Sequence, residues 1–420
     1  GPGGESVYHS AQGWIIAFHA YDAQNNGNPT LMISDLYWDP DNWPTLTAPA
    51  VLGAPVFTTQ PISVSVAGGT VALDAAASGA ASYQWMLNST AVPGATNPVL
   101  LIGNASGASG TYACVATNSG GSATSSPATV SLGGPGDPGR LTNLSCRADV
   151  RTDASILIVG FAVGGAGTTG SESVLVRGSG PALAAAPFNV AGALADPELR
   201  LDPLGGSGPA PLASDDGWGG DPAIAAAAAA VGAFPWSDPA SRDSAVAATL
   251  AAGPYTATIS GAAGDTGIAL AEVYDATPPG SRTSSTPRLI NLSARVQVGT
   301  GGSVLIAGFV IAGTTARTVL VRASGPALAA APFSIPGTLP DPELTLNNLG
   351  NGQIVASNNA WGGDPQISAT AAAAGAFPWG YPSSADSALL VTLPPGNYTA
   401  TVSGAAGDTG VALVELYEVP

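Results

Sequence analysis

VLVRGSGPALAAAPF, residues 174–188, recurs almost unchanged as VLVRASGPALAAAPF at 319–333. Outward from this stretch the echo continues from Leu141 to Asp275 and from Leu289 to Glu418. Arg177 and Arg322 stand 145 positions apart, as do Asp196 and Asp341, while Trp218 and Trp361 stand 143 apart. One module is therefore used twice, and an internal repeat of this kind sets the domain count.

Within each copy, SILIVGFAV and SVLIAGFVI read as buried strands, and GPYTATISG and GNYTATVSG alternate with period two. The helical signal is DPAIAAAAAAVG, matched by DPQISATAAAAG. Asp221 or Asp364 is the N-cap, proline takes the first turn, and Gly232 or Gly375 ends the run. The expectation is an all-β sandwich with one short helix, spanning 140–276 and again 287–420. GGPGDPG and TPPGSRTSSTP precede the two copies as linkers.

Composition agrees with many short elements. The 420 residues include 56 Gly and 36 Pro, and only 9% are charged. All eleven basic residues are arginines, and the net charge of −17 argues against a nucleic-acid partner. No apolar run reaches the roughly 18 residues that would span a bilayer, so membrane insertion is not expected. The opening GPGGESVYHS lacks the basic and apolar regions of a signal peptide, and reads as though taken from the middle of a domain. Cys114 and Cys146 fall in different segments, so no disulfide framework is expected.

Charged residues present in both copies stand out against this background. A guanidinium following a buried VLV strand needs a carboxylate. Arg177 is expected to pair with Asp243 or Glu272, and Arg322 with Asp386 or Glu415. SDDGWGGDP (214–222) and SNNAWGGDP (357–365) offer oxygen atoms suited to calcium. The second copy replaces both leading aspartates by asparagine, and turns plus a helix cap account for the rest, so the expected cofactor is none. Trp218, Trp236, Trp361 and Trp379 are plugs for the end of a sandwich core, or alternatively a platform for stacking sugars.

Residues 49–134 carry short strands with turn signals about every ten positions. Trp85 in YQW, and Tyr112 two residues before Cys114, are similar to the buried tryptophan and tyrosine corner of an immunoglobulin-like domain. The partner cysteine would fall near Ala75, so that core must hold by packing alone. A spacer is the plain reading of this domain.

Residues 1–48 contain GWIIAFHAYD, the turn NNGNP, and PTLMISDLYWD, with Leu31, Ile33 and Leu36 as candidates for one apolar face. The order GPGG-E-SV, W-I-I-A-F-HAYD, then G-x-P-x-L-x-I ending in WD-x-D-x-WP resembles the last blade of family 43 glycoside hydrolases. Those are five-bladed propellers acting on arabinan, arabinoxylan or xylan, and the resemblance implies an inverting reaction run by two carboxyl groups. Where the family's opening motif carries a histidine near a central metal, this sequence has Gly4. Glu5, Asp22, Asp35, Asp39 and Asp41 match no catalytic position. His9 and His19, the only histidines, leave the later domains without a base for a Ser-His-Asp site. His19 reads as a hydrogen-bonded core residue or as lining the propeller axis.

The resemblance implies the C-terminal non-catalytic part of a secreted hydrolase of arabinofuranosyl or xylosyl linkages, its appended modules acting as spacers or as domains that target arabinan or arabinoxylan; the chain is expected to be monomeric. The alternative is a non-enzymatic cell-surface or adhesion protein built of tandem β-sandwich modules.

Overall fold

The computed structural model describes the chain except for residues 1–2, 11–12, 23–27, 39–42, 47–52, 135, 153–155, 206–209, 279 and 284. The predicted turn at 25–29 begins in the undescribed stretch, and Asp39 and Asp41 lie outside the described residues.

The first unit is a four-stranded antiparallel sheet of β1 (Gly3–Ser10), β2 (Gly13–Asp22), β3 (Asn28–Trp38) and β4 (Pro44–Thr45), ordered as in the chain. Along β3 the period of two puts Leu31 and Ile33 on one face, 58% and 69% exposed, whereas Leu36 is buried on the other. The expectation that all three share a face is corrected by that parity.

The second unit is an immunoglobulin-like sandwich. Its strands are β5 (Val56–Phe57), β6 (Val64–Val66), β7 (Val71–Asp74), β8 (Ala77–Ser78), β9 (Ser82–Leu87), β10 (Thr90–Ala91), β11 (Val99–Ile102), β12 (Gly110–Asn118), β13 (Gly121–Thr124) and β14 (Ala128–Leu132). Trp85, Ala75 and Cys114 are fully buried in one cluster, and Trp85 lies opposite Cys114 in the β9–β12 ladder. The Tyr112 hydroxyl donates to the Ala108 carbonyl at 2.8 Å, closing the tyrosine corner. Burial pushes the Cys114 thiol up to about 11, so it packs as a small apolar group.

Module 1 contains β15 (Arg140–Val150), β16 (Leu157–Gly164), β17 (Ser171–Ser179), α1 (Pro181–Ala184), β18 (Pro197–Pro203), β19 (Ala213–Asp215), α2 (Pro222–Ala230), β20 (Ser244–Ala251), β21 (Gly253–Gly261) and β22 (Gly267–Asp275). Module 2 repeats it as β23 (Arg288–Val298), β24 (Leu305–Ala312), β25 (Arg317–Ser324), α3 (Pro326–Ala329), β26 (Pro342–Asn348), β27 (Gln353–Asn358), α4 (Pro365–Ala373), β28 (Ser387–Leu393), β29 (Gly396–Gly404) and β30 (Gly410–Glu418). Helices α2 and α4 start where Asp221 and Asp364 accept from the N–H groups of Ala223 and Gln366, each at 2.7 Å. The four-residue helices α1 and α3 add a second helical element to each module. GSGPALA shows no apolar periodicity, because a single turn is too short to display one.

The two modules share their sheets. Taken alone, each is a sandwich of two four-stranded sheets, with β15 and β16 (or β23 and β24) at the edges. In the chain β15 pairs with β24, and β16 with β23, all antiparallel. One eight-stranded sheet therefore runs β19-β18-β21-β16-β23-β30-β25-β28. The other runs β27-β26-β29-β24-β15-β22-β17-β20. Both ladders break register at matching places, between Leu141 and Asn143 and opposite Ile290, as a pseudo-twofold axis requires. A single core runs across the junction, from Leu141 and Phe161 to Phe309 and Leu416. Edge strands left open invite aggregation; here each module closes two edges of the other.

The immunoglobulin-like unit rests on module 2. Ala72, Val99 and Leu101 pack against Leu320, Leu390 and Trp361. The Ala72 N–H donates to the Thr392 hydroxyl at 2.8 Å, and Ala316 N–H to the Ser65 carbonyl at 2.6 Å. Every residue of β28 is buried as a result, whereas Ala247, Thr249 and Ala251 on the corresponding β20 are exposed.

Candidate functional site

Arg177 lies at the end of the repeated VLVR strand and is 1% exposed. Its guanidinium sits 4.6 Å from the Phe234 ring centre and 4.2 Å from that of Trp236. Nη2 donates to the Phe234 carbonyl at 3.0 Å, and Nη1 is 3.4 Å from Glu272 Oε2. Tyr274 donates to Glu272 at 2.6 Å. Burial pushes the Glu272 carboxyl above its usual range, while Arg177 and the Tyr274 hydrogen bond pull it down. Module 2 repeats the box: Arg322 lies over Phe377 and Trp379 at 4.6 and 4.2 Å, with Glu415 at 3.6 Å and Tyr417 donating to Glu415.

Asp243 takes a different part from the one its charge suggests. Its Oδ1 accepts from the Gly180 N–H at 2.7 Å, both oxygens accept from Ala182, and Ser241 donates to Oδ2 at 2.7 Å. Asp386 does the same for Gly325, Ala327 and Ser384. Main-chain donors at the start of α1 and α3 thus satisfy these carboxylates, and the arginines turn to Glu272 and Glu415.

Trp218 and Trp361 are core residues, and Trp236 and Trp379 are half-buried against them. Trp218 is 9% and Trp361 7% exposed, each edge-on to its neighbour, Trp236 or Trp379. Trp236 and Trp379 are spent on the guanidinium and on Ser179 or Ser324, to which their Nε1 atoms donate. A sugar-stacking platform needs an open ring face, which buried Trp218 and Trp361 do not offer.

The acidic turns before α2 and α4 are engaged too. Asp215 accepts from the Ala245 N–H at 2.8 Å, and its counterpart Asn358 from Ala388 at 3.1 Å. An amide oxygen serves as well as a carboxylate oxygen there, so the turn needs an acceptor rather than a charge. Among the described residues no group of three His, Cys, Asp or Glu side chains is placed to hold a metal ion. His9 lies tilted against Trp14, ring centres 4.4 Å apart, in the first sheet, and Asp35 accepts from Tyr37.

Sequence reasoning missed the junction. Glu418 receives Arg288 and Arg317, each at 2.5 Å, and Asp275 receives Arg282 from the linker. Glu172 occupies the place of Arg317 in module 1. It is 1% exposed, neither oxygen has a hydrogen-bond partner among the described residues, and burial raises its carboxyl to about 7 against the pull of Arg282, Arg140 and Arg288. Beside this cluster a cleft of about 1190 Å³ crosses the module boundary. Thr142, Asn143 and Ser145 of β15 and Gly308 and Val310 of β24 line it, with α2 and Tyr274 on one side and Asn397 and Leu349 on the other.

No known family model matches the sequence, and nothing found supports the glycoside hydrolase resemblance. Among solved structures the chain is similar to the I-band fragment I67–I69 of titin, at 10% identity, covering 66% of this chain and 80% of that one with a TM-score of 0.16. An E-to-A variant of the same three titin domains gives 9% identity, 86% and 97% coverage and a TM-score of 0.16. The eight N-terminal Ig domains of the Down syndrome cell adhesion molecule give 10% identity, 95% and 57% coverage and a TM-score of 0.19. Superpositions at that level carry no argument about function. Among the described residues no helix is long and apolar enough to cross a membrane.

Proposed function

We propose that this chain is a non-enzymatic, mechanically continuous segment of an extracellular or cell-surface protein, in which the paired modules and the docked immunoglobulin-like domain form a stiff spacer. The supporting observation is the pairing of β15 with β24 and of β16 with β23, which makes two modules one body. The repeated charged residues are consistent with it: Arg177, Glu272, Asp243 and their partners in module 2 are buried and spent on one another or on helix starts. These six are therefore committed to the fold. Pulling the chain from its two ends tests the reading. Residues 140–420 should be released in one step of roughly 1,000 Å at about 3.5 Å per residue; two steps of about half that length would contradict it.

One observation favours a second reading, the attached end of a hydrolase of arabinan or xylan. The β1–β4 sheet leaves Leu31, Ile33 and Trp43 exposed, as a blade without neighbours would. Hydrolysis of arabinan or arabinoxylan by the product of the whole gene would support it, and a folded but inert product would remove it.

A further inference from the structure

The two modules are near copies, so residues that differ at equivalent places mark what one copy does and the other does not. Three polar residues lining the junction cleft have apolar counterparts across the pseudo-twofold axis. Thr142 answers to Ile290, Asn397 to Pro254, and Thr277 to Pro420. The fold therefore does not demand this polarity.

Arg140 and Thr277 also line the cleft, and behind that wall Arg140 Nε and Thr277 Oγ1 are buried atoms with no hydrogen-bond partner among the described residues. Buried polar atoms are paired in the great majority of cases, so two unpaired ones behind one wall leave that wall short of hydrogen-bond partners. The charges cancel: Arg140 holds Asp137 at 2.5 Å, and Arg282 holds Asp275. What remains is a wall of hydroxyls and amides from Thr142, Asn143, Ser145, Thr277 and Asn397. At about 1190 Å³ the cleft lies at the upper end of the roughly 300–1,000 Å³ typical of ligand pockets, room for several sugar units.

A peptide is disfavoured by the floor. Strand β15 is paired on both sides, to β22 and β24, and β24 to β15 and β29. No free row of main-chain groups is left there for a peptide to extend the sheet.

We propose that the junction cleft binds a neutral, hydroxyl-rich chain, a segment of uncharged oligosaccharide, through Arg140, Thr142, Thr277 and Asn397. This site contains none of the four tryptophans and is independent of the stiffness of the paired modules.

The test is calorimetric titration of the full chain with xylohexaose, arabinohexaose and cellohexaose, beside a Gly-Ser hexapeptide and oligogalacturonate. At least one neutral hexasaccharide should bind saturably, with the peptide and the acidic sugar at least tenfold weaker. The double variant Thr142→Ile, Asn397→Pro copies the opposite module and keeps its backbone compatible with the fold. It should weaken binding at least tenfold while its melting curve stays that of the parent. Thr277→Ala provides a second, milder variant, expected to weaken binding several-fold. No saturable binding of any neutral hexasaccharide, equal binding of the peptide or the acidic sugar, or binding unchanged in both variants would overturn the proposal.

Discussion

Ser145 of module 1 lies directly opposite Gly308 of module 2, and a Cβ on that glycine would come within 2.6 Å of Ser145 Oγ. The mirror pair, Ser293 and Gly160, shows the same 2.6 Å. The glycines are therefore there for close approach of two strands across the module boundary, not for an unusual backbone angle.

Gly308→Ala should destabilise the paired modules by about 1–3 kcal/mol, the range for overpacking a filled site. Adding Ser145→Ala removes the obstructing oxygen and should restore most of the loss, a coupling that a double-mutant cycle in urea would read. Additive effects would show that the two residues are not in contact.

The arginine boxes should be sensitive to partner removal. Arg177→Met leaves Glu272 buried without its cation, and about 3–5 kcal/mol should be lost. Arg177→Lys should recover little, because an ammonium cannot lie flat between Phe234 and Trp236 while also reaching the Phe234 carbonyl. Removing both charges, Arg177→Met with Glu272→Gln, should cost less than Arg177→Met alone. Thermal unfolding of the three variants checks the order.

How much of this was legible beforehand differs by element. The repeat spacing singled out Arg177 with Asp243 or Glu272 as its partner, and local chemistry marked Asp221 and Asp364 as caps. The competition for Asp243 was not visible, because α1 is a single turn with no periodic signal and its free N–H groups claim the carboxylate. The joining of the modules was hidden for a different reason. Strand β15 has the same alternation whether its edge is open or paired, so its pattern cannot say which strand lies beside it. The cleft lay in the differences between the copies, at Thr142, Asn397 and Thr277, rather than in what they share.

Acidity should strengthen the structure. Glu172 is raised from 4.5 to about 7 and Asp74, in a crevice between the immunoglobulin-like unit and Val355 and Val391, from 3.8 to about 7. A carboxyl whose folded pKa lies above its unfolded value favours folding while protonated. Its contribution is full below about pH 4 and is lost as the pH rises to 7. For Glu172 the difference is on the order of 3 kcal/mol. Burial moves Glu272 and Glu415 in the same direction. The melting temperature should rise between pH 8 and pH 5, and Glu172→Gln should flatten that slope. A melting temperature that falls over this range would contradict the assignment.

The contact between the immunoglobulin-like unit and module 2 depends on Thr392, which accepts from the Ala72 N–H and shares a 2.7 Å hydrogen bond with Thr318. Thr392→Val keeps the shape and leaves that N–H unpaired, a loss of about 1–3 kcal/mol. Limited proteolysis in the 133–139 linker should accelerate in the variant. An unchanged rate would mean the docking does not rest on this bond.

Scanning calorimetry of the chain tests the joined-module account most directly. If the two eight-stranded sheets make one cooperative body, residues 140–420 will melt in a single transition. Its van't Hoff enthalpy should match the calorimetric one at roughly 200 kcal/mol, taking about 0.7 kcal/mol per residue near 60 °C. Gly308→Ala should shift that whole transition. Two transitions of about half that enthalpy, only one of which moves in the variant, would show that the modules stand apart.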